Sequence, residues 1–150
     1  MGKTWVEKFK ADHLDMIEMR EPDRSQIAGI PHFREMAKLY ETYGGAYTLF
    51  CADGVIAVAG VAPILPGVGG AWMATSELVN QYPKAFFRAT RDFLAAIEAD
   101  WRLHRIQTTV EVGQTTQERW VSHLGFTSEG IMRRFGADRS DHRMYARLAQ

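Results

Sequence analysis

The sequence predicts one α/β (α+β) domain over residues 1–150: a central twisted sheet of about six to seven strands, mixed and mostly antiparallel, flanked by about four helices. Three observations carry that reading. Ile106 to Val112 alternates Ile106, Thr108, Val110 and Val112 with Gln107, Thr109 and Glu111, the period of a strand with one buried face. Ala46 to Ala52 and Val55 to Pro63 flank Asp53-Gly54, the strongest hairpin signal in the chain. Pro83 to Trp101 sets Phe86, Phe87, Thr90, Phe93, Leu94, Ile97 and Trp101 at three-to-four spacing, which makes it an amphipathic helix packed on the sheet.

The remaining elements follow in chain order. A strand is expected at Trp5 to Phe9, then helical segments around Asp12 to Met19, Arg24 to Gly29 and Phe33 to Tyr43. Pro22 and Pro31 stand between them, where a helix can begin but not continue. After the hairpin, the run PILPGVGG reads as a turn and Gly70 to Glu77 as a third central strand. Beyond Ile106 to Val112, Gln114 to Leu124 is a helix with Val121 and Leu124 on its apolar side. Gly125 suits its C-terminus, because a residue without Cβ enters the left-handed region at little cost, and Phe126 folds back over the last turn. SEGIMRRF and HRMYARL close the chain as a hairpin joined by Gly136 to Asp141 (GADRSD). No internal repeat or low-complexity segment interrupts this order.

Composition fits a plain soluble domain. The 150 residues are 46% hydrophobic and 24% charged, enough for one core and short for two domains. Eighteen basic and 18 acidic residues cancel, so no global field favours nucleic acid or an anionic membrane. One cysteine, Cys51, excludes an intramolecular disulfide and a cysteine-only metal site, and its apolar strand makes it a small core residue. His13, His32, His104, His123 and His142 stand at no common ligand spacing, so no metal is expected. The uncharged run Val55 to Ala74 is as long as a membrane span, but Gly60, Pro63, Pro66, Gly67, Gly69 and Gly70 break it into two strands and a loop. Lys3, Glu7 and Lys8 interrupt any signal peptide, and Val6 spoils the acylation motif that Met1-Gly2 would open. A reducing cytoplasm fits these features.

The tail carries a resemblance. The run L-G-F-T-S-E-G at Leu124 to Gly130, preceded by strand and helix and followed by M-Y-A-R-L at Met144 to Leu148, resembles the C-terminal half of the GNAT superfamily of N-acetyltransferases. The whole element order is similar to that fold. The resemblance implies acetyl-CoA as co-substrate and a primary amine as acceptor.

The same resemblance implies where a site would lie. Members approach the acyl-CoA pyrophosphate through a glycine-containing loop at the start of the helix after the fourth strand, where backbone N–H groups and the helix terminus meet phosphate. Here that stretch, Leu78 to Ala89, contains no glycine, and Phe86 and Phe87 are expected to crowd the space. Lys84 and Arg88 are the residues that would offer charge to a phosphate; taken alone they read as two solvated residues on an exposed helix face. The backbone of the third central strand, with Met73, Ala74 and Thr75, would hold the acyl carbonyl and pantetheine. Gln114 stands where many members carry Asn, and Glu77 is the candidate catalytic base. The Tyr that protonates the departing thiolate would fall at Val121, which has no proton to give; Trp120 beside it is no acid and reads as a core or groove aromatic.

Within the superfamily the chain resembles small GNAT-like proteins of short-tailed phages and prophages, similar to the internal virion protein A family. Ala71 to Ser76, Pro83 to Thr90 and Arg119 to Gly130 carry that likeness, which implies a phage-encoded protein of the virion or its assembly, in the cytoplasm of a bacterial host or within the virion. Two classes of function follow. One is an acyl-CoA-dependent N-acyltransferase. The other is a catalytically degenerate structural or binding protein, its partner a virion protein or a second copy of itself. Arg133, Arg134, Arg139, Arg143 and Arg147 make the closing hairpin basic, but Glu129, Asp138 and Asp141 stand among them, and a solvated hairpin is expected. An RNA-binding module is disfavoured by the neutral charge and the lack of an aromatic and basic platform.

Overall fold

The structure is a computed structural model that describes residues 2–150; Met1, with its half of the Met1-Gly2 motif, lies outside them. Seven strands run in the order β1-β2-β3-β4-β5-β7-β6: β1 Thr4–Lys8, β2 Ala46–Cys51, β3 Gly54–Leu65, β4 Val68–Thr75, β5 Arg105–Glu111, β6 Thr127–Met132 and β7 His142–Leu148. The helices are α1 His13–Met16, α2 Asp23–Ala28, α3 Phe33–Tyr43, α4 Pro83–Asp100 and α5 Thr115–His123, with a 3-10 turn at Glu77–Asn80. The α/β class is as expected, with one helix more than the four anticipated. The described residues divide into two compact units, 2–62 with 72–96, and 63–71 with 97–150.

In the first unit, β1, β2 and β3 pair antiparallel. Every residue of β2 is buried, as a strand covered on both faces must be. Tyr47 turns to α4, where its hydroxyl meets Thr90 Oγ1 at 2.5 Å and its ring lies 5.0 Å from that of Phe93. A second cluster gathers Phe9, Leu14, Ile17, Phe33, Ala37 and Tyr40 from β1 to α3 around Trp72 of β4. Trp72 stacks on Tyr40 at 5.0 Å and meets Phe9 and Phe33 edge-on, contacts that aromatic quadrupoles favour.

In the second unit, β4 pairs parallel with β5 from Val68↔Arg105 to Gly70↔Gln107, and Thr108 Oγ1 then donates to the Ala71 carbonyl. β5, β7 and β6 continue antiparallel. The Gly-Phe corner forms as expected: Gly125 has φ +91°, its N–H reaches Ser122 O, and Phe126 N–H reaches Val121 O. That pair of bonds is a Schellman motif, and it buries Phe126. The basic hairpin departs from expectation. Arg143 Nε donates to Glu118 Oε1 on α5, and Arg147 bridges Glu98 Oε1 and the Leu124 carbonyl, so two of its five arginines are half-buried ties rather than solvated charges.

Among the element boundaries that differ from the sequence reading, those of α1, β3 and β4 bear on the site: α1 ends at Met16 rather than Met19. β3 continues past Pro63 to Leu65, because the reversal needs only Pro66 and Gly67, the latter at φ +79° as a Pro-Gly turn requires. β4 accordingly starts at Val68 and ends at Thr75, leaving Glu77 on the 3-10 turn instead of a strand end. The Ser76 side chain caps that turn by accepting from Leu78 N–H.

Gly60 in mid-β3 is fixed by close approach. A Cβ there would meet Gly45 O at 2.7 Å and Trp72 Nε1 at 2.8 Å. Gly60→Ala is therefore expected to cost about 1–3 kcal/mol through overpacking, read as a lower urea midpoint at unchanged slope.

Candidate functional site

The end of β4 organises one group of polar residues in the first unit. Ser76 N–H donates to Ile56 O of β3. Strand alternation then turns the N–H and C=O of Thr75 and Met73 to the opposite edge. Among the described residues Thr75 has no strand partner there; its N–H donates to Asp23 Oδ2 at 2.8 Å and its carbonyl accepts Arg20 N–H at 2.9 Å. Its hydroxyl donates to the same Asp23 oxygen at 2.5 Å and accepts Arg20 Nε–H at 2.8 Å. Asp23, Thr75 and Ser76 are all buried, and the Ser76 hydroxyl donates to Val55 O.

Asp23 opens α2, where a carboxylate suits the positive end of the helix. Its pKa is raised above the ordinary aspartate value, first by burial and then by neighbouring Glu21, against the lowering effect of the two Thr75 bonds and Arg20. Sequence reasoning missed this residue. An acid directly after a proline at a helix start was visible, but its burial against a strand more than fifty residues on was not.

Of the residues singled out on the third central strand, Met73 is half-buried while Ala74 and Thr75 are buried. Glu77 is exposed, and its Oε2 accepts from Asn80 Nδ2 at 2.9 Å.

Lys84 and Arg88 come together at the start of α4. With Pro83, Phe87 and Arg91 they line an open recess of about 340 Å³. Pro83 is the first helical residue, and Tyr82 O accepts the first intrahelical bond from Phe86 N–H. The first turn carries no acid. Arg91 pairs with exposed Asp92, whereas among the described residues no carboxylate pairs with Lys84 or Arg88. Phe86 does not crowd this space, since it is buried in the core; Phe87 alone does. The positive end of a helix beside cations suits a phosphate or diphosphate.

In the second unit, Gln114 is the N-cap residue of α5, but its side chain does not cap the helix and lies 3.5 Å from Glu111 Oε2. Val121 is buried on the same helix, so no acid stands there. A phenol does stand nearby in this unit: Tyr145 of β7 donates to Glu118 Oε1 at 2.9 Å, its pKa raised by burial and by that carboxylate. Cys51 is buried and free. Among the described residues no group of three His, Cys, Asp or Glu side chains could hold a metal, and no helix is long and apolar enough to cross a membrane.

Solved structures share this architecture. An Ard1 protein from Thermoplasma volcanium aligns with TM-score 0.79 at 11% identity, over 98% of both chains. A GNAT-family acetyltransferase from Bacillus anthracis gives 0.72 at 14% identity over 99% of this chain and 96% of its own. A ribosomal L7/L12 α-N-protein acetyltransferase, solved in complex with coenzyme A, gives 0.69 at 16% identity over 97% and 93%. No protein-family model and no curated protein matches the chain. The fold is that of the GNAT acetyltransferases.

The raised Asp23 pKa has a stability consequence. A group protonated more readily when folded adds stability that is complete below the unfolded carboxylate pKa and is lost as pH rises through its folded value. Asp23→Asn keeps an oxygen for the Thr75 donors and removes the charge. The melting temperature of the wild type is expected to fall, relative to Asp23→Asn, as pH rises from about 4 toward 7.

Proposed function

We propose that this protein is an acyl-CoA-dependent N-acyltransferase that moves an acetyl group to a primary amine. The observation that carries the reading is the start of α4, where Lys84 and Arg88 flank a recess at the positive end of an 18-residue helix inside a GNAT fold. The diphosphate of acetyl-CoA has the charge and size that such a recess takes, and the CoA-bound structural neighbour supports the same choice of ligand. Without glycine, the first turn offers fewer close backbone approaches, and the side-chain cations supply the missing attraction. The N–H and C=O of Met73 lie on the β4 edge that faces away from β3 and are the groups to hold the acyl carbonyl and pantetheine.

A degenerate binding or structural protein, of a phage virion in the sharpest form the sequence raises, is the second reading. It is favoured by buried Val121 at the position where the family's tyrosine acid would fall and by Phe87 in the recess. The acetyltransferases among the structural neighbours and the charge of the recess favour the first.

Calorimetric titration with acetyl-CoA separates the two. Saturable binding is expected, with the dissociation constant rising roughly tenfold in Lys84→Ala and again in Arg88→Ala, about 1.4 kcal/mol each. The affinity is also expected to weaken as salt rises. Absence of binding at millimolar ligand would leave the structural reading.

A further inference from the structure

Among the described residues Asp23 is the only buried carboxylate, at 6% exposure. Burying a charge is costly unless donors meet it, and here both donors come from one strand residue, Thr75. Arg20 Nε can only donate, so the Thr75 hydroxyl accepts from it and sends its own proton to Asp23. Both Thr75 donors land on Oδ2. The other oxygen, Oδ1, has no hydrogen-bond partner among the described residues. A carboxylate fixed through one oxygen and unpaired at the other keeps an acceptor position for a proton.

We propose that Asp23 is the general base of acyl transfer, with a primary alkylamine as the acceptor at Oδ1. The proposal rests on the acyl-transfer reading above. Thr75 and Met73 present their N–H groups on the same β4 edge, about 6.6 Å apart along the strand. That separation leaves room for one amine nitrogen between the carboxylate held at Thr75 and a thioester carbonyl held at Met73. The nitrogen lone pair forms the C–N bond to the acyl carbon, and the C–S bond breaks with its electron pair leaving on the CoA sulfur. The proton released by nitrogen goes to Asp23 and onward to water, and the thiolate is protonated from solvent. Burial raises the basicity of the carboxylate, as this task requires. The charged groups that face it are Arg20 and Glu21, of opposite sign, from the segment before α2; from β4 it meets only neutral Thr75. Glu77, the base expected from the sequence, is exposed and bonded to Asn80, with no strand donor to orient it.

The test uses the full chain, acetyl-CoA, and two acceptor probes, spermidine and a lysine-containing peptide. Asp23→Asn retains the Thr75 bonds and is expected to bind acetyl-CoA within about twofold of wild type while kcat falls about 10²–10⁴-fold. The acid limb of the kcat/KM profile is expected to vanish with it. Thr75→Val removes a bond that stabilises the charged carboxylate, so the acid limb is expected to move to higher pH. Wild-type kcat in Asp23→Asn, or an acid limb unmoved in Thr75→Val, would overturn the assignment while leaving acyl transfer intact. Acetyl-CoA binding with neither amine acetylated by the wild type would overturn it as well, and a wild type that binds no acetyl-CoA would overturn both readings together.

Discussion

The edge of β4 at Thr75 is the constraint on which the candidate site depends. A strand edge presents an N–H and a C=O that must find partners, and here they are met by the Arg20 to Asp23 segment rather than by another strand. Thr75 uses its N–H, its carbonyl and both capacities of its hydroxyl on that one segment. The arrangement ends β4, lets Ser76 cap the following turn, and holds the start of α2 against the strand. It also explains why a carboxylate can be buried at this point, since its charge is met by two donors in fixed positions.

On the other side of β4, the aromatic cluster around Trp72 gives the same strand a rigid backing. Trp72 stacks on Tyr40 and sits over Gly60, where nothing larger than hydrogen fits. Rigid backing matters because a base or an N–H donor acts only when it is held within a fraction of an ångström of its partner. Charge at the start of α4 has a different character. Lys84 and Arg88 are exposed, placed to attract an anion from solvent rather than packed by the core.

Much of the fold was legible because periodicity is local. Phe33 to Tyr43 was bounded as observed, Pro83 to Trp101 to within a residue, and the Gly-Phe corner down to its left-handed glycine. Errors fell where a short local signal competed with tertiary contact. α1 stops at Met16, and the chain beyond it turns extended at Ile17 before Arg20 N–H reaches the Thr75 carbonyl. β3 runs past Pro63, since a missing N–H is tolerated near the end of a strand. Arg143 and Arg147 looked like solvated charges because their partners, Glu118 and Glu98, are distant in sequence.

By itself the sequence determined the class of fold, the order of its elements and the absence of a tyrosine at Val121, because side-chain type and spacing decide those directly. It also supplied Lys84 and Arg88, one turn apart on a helix that begins at a proline. Only the tertiary structure decided that Phe86 turns inward while Phe87 lines the recess, and that Asp23 is buried on Thr75. Those facts depend on pairing between segments far apart in the chain, and no local pattern encodes which distant backbone donor a carboxylate will meet.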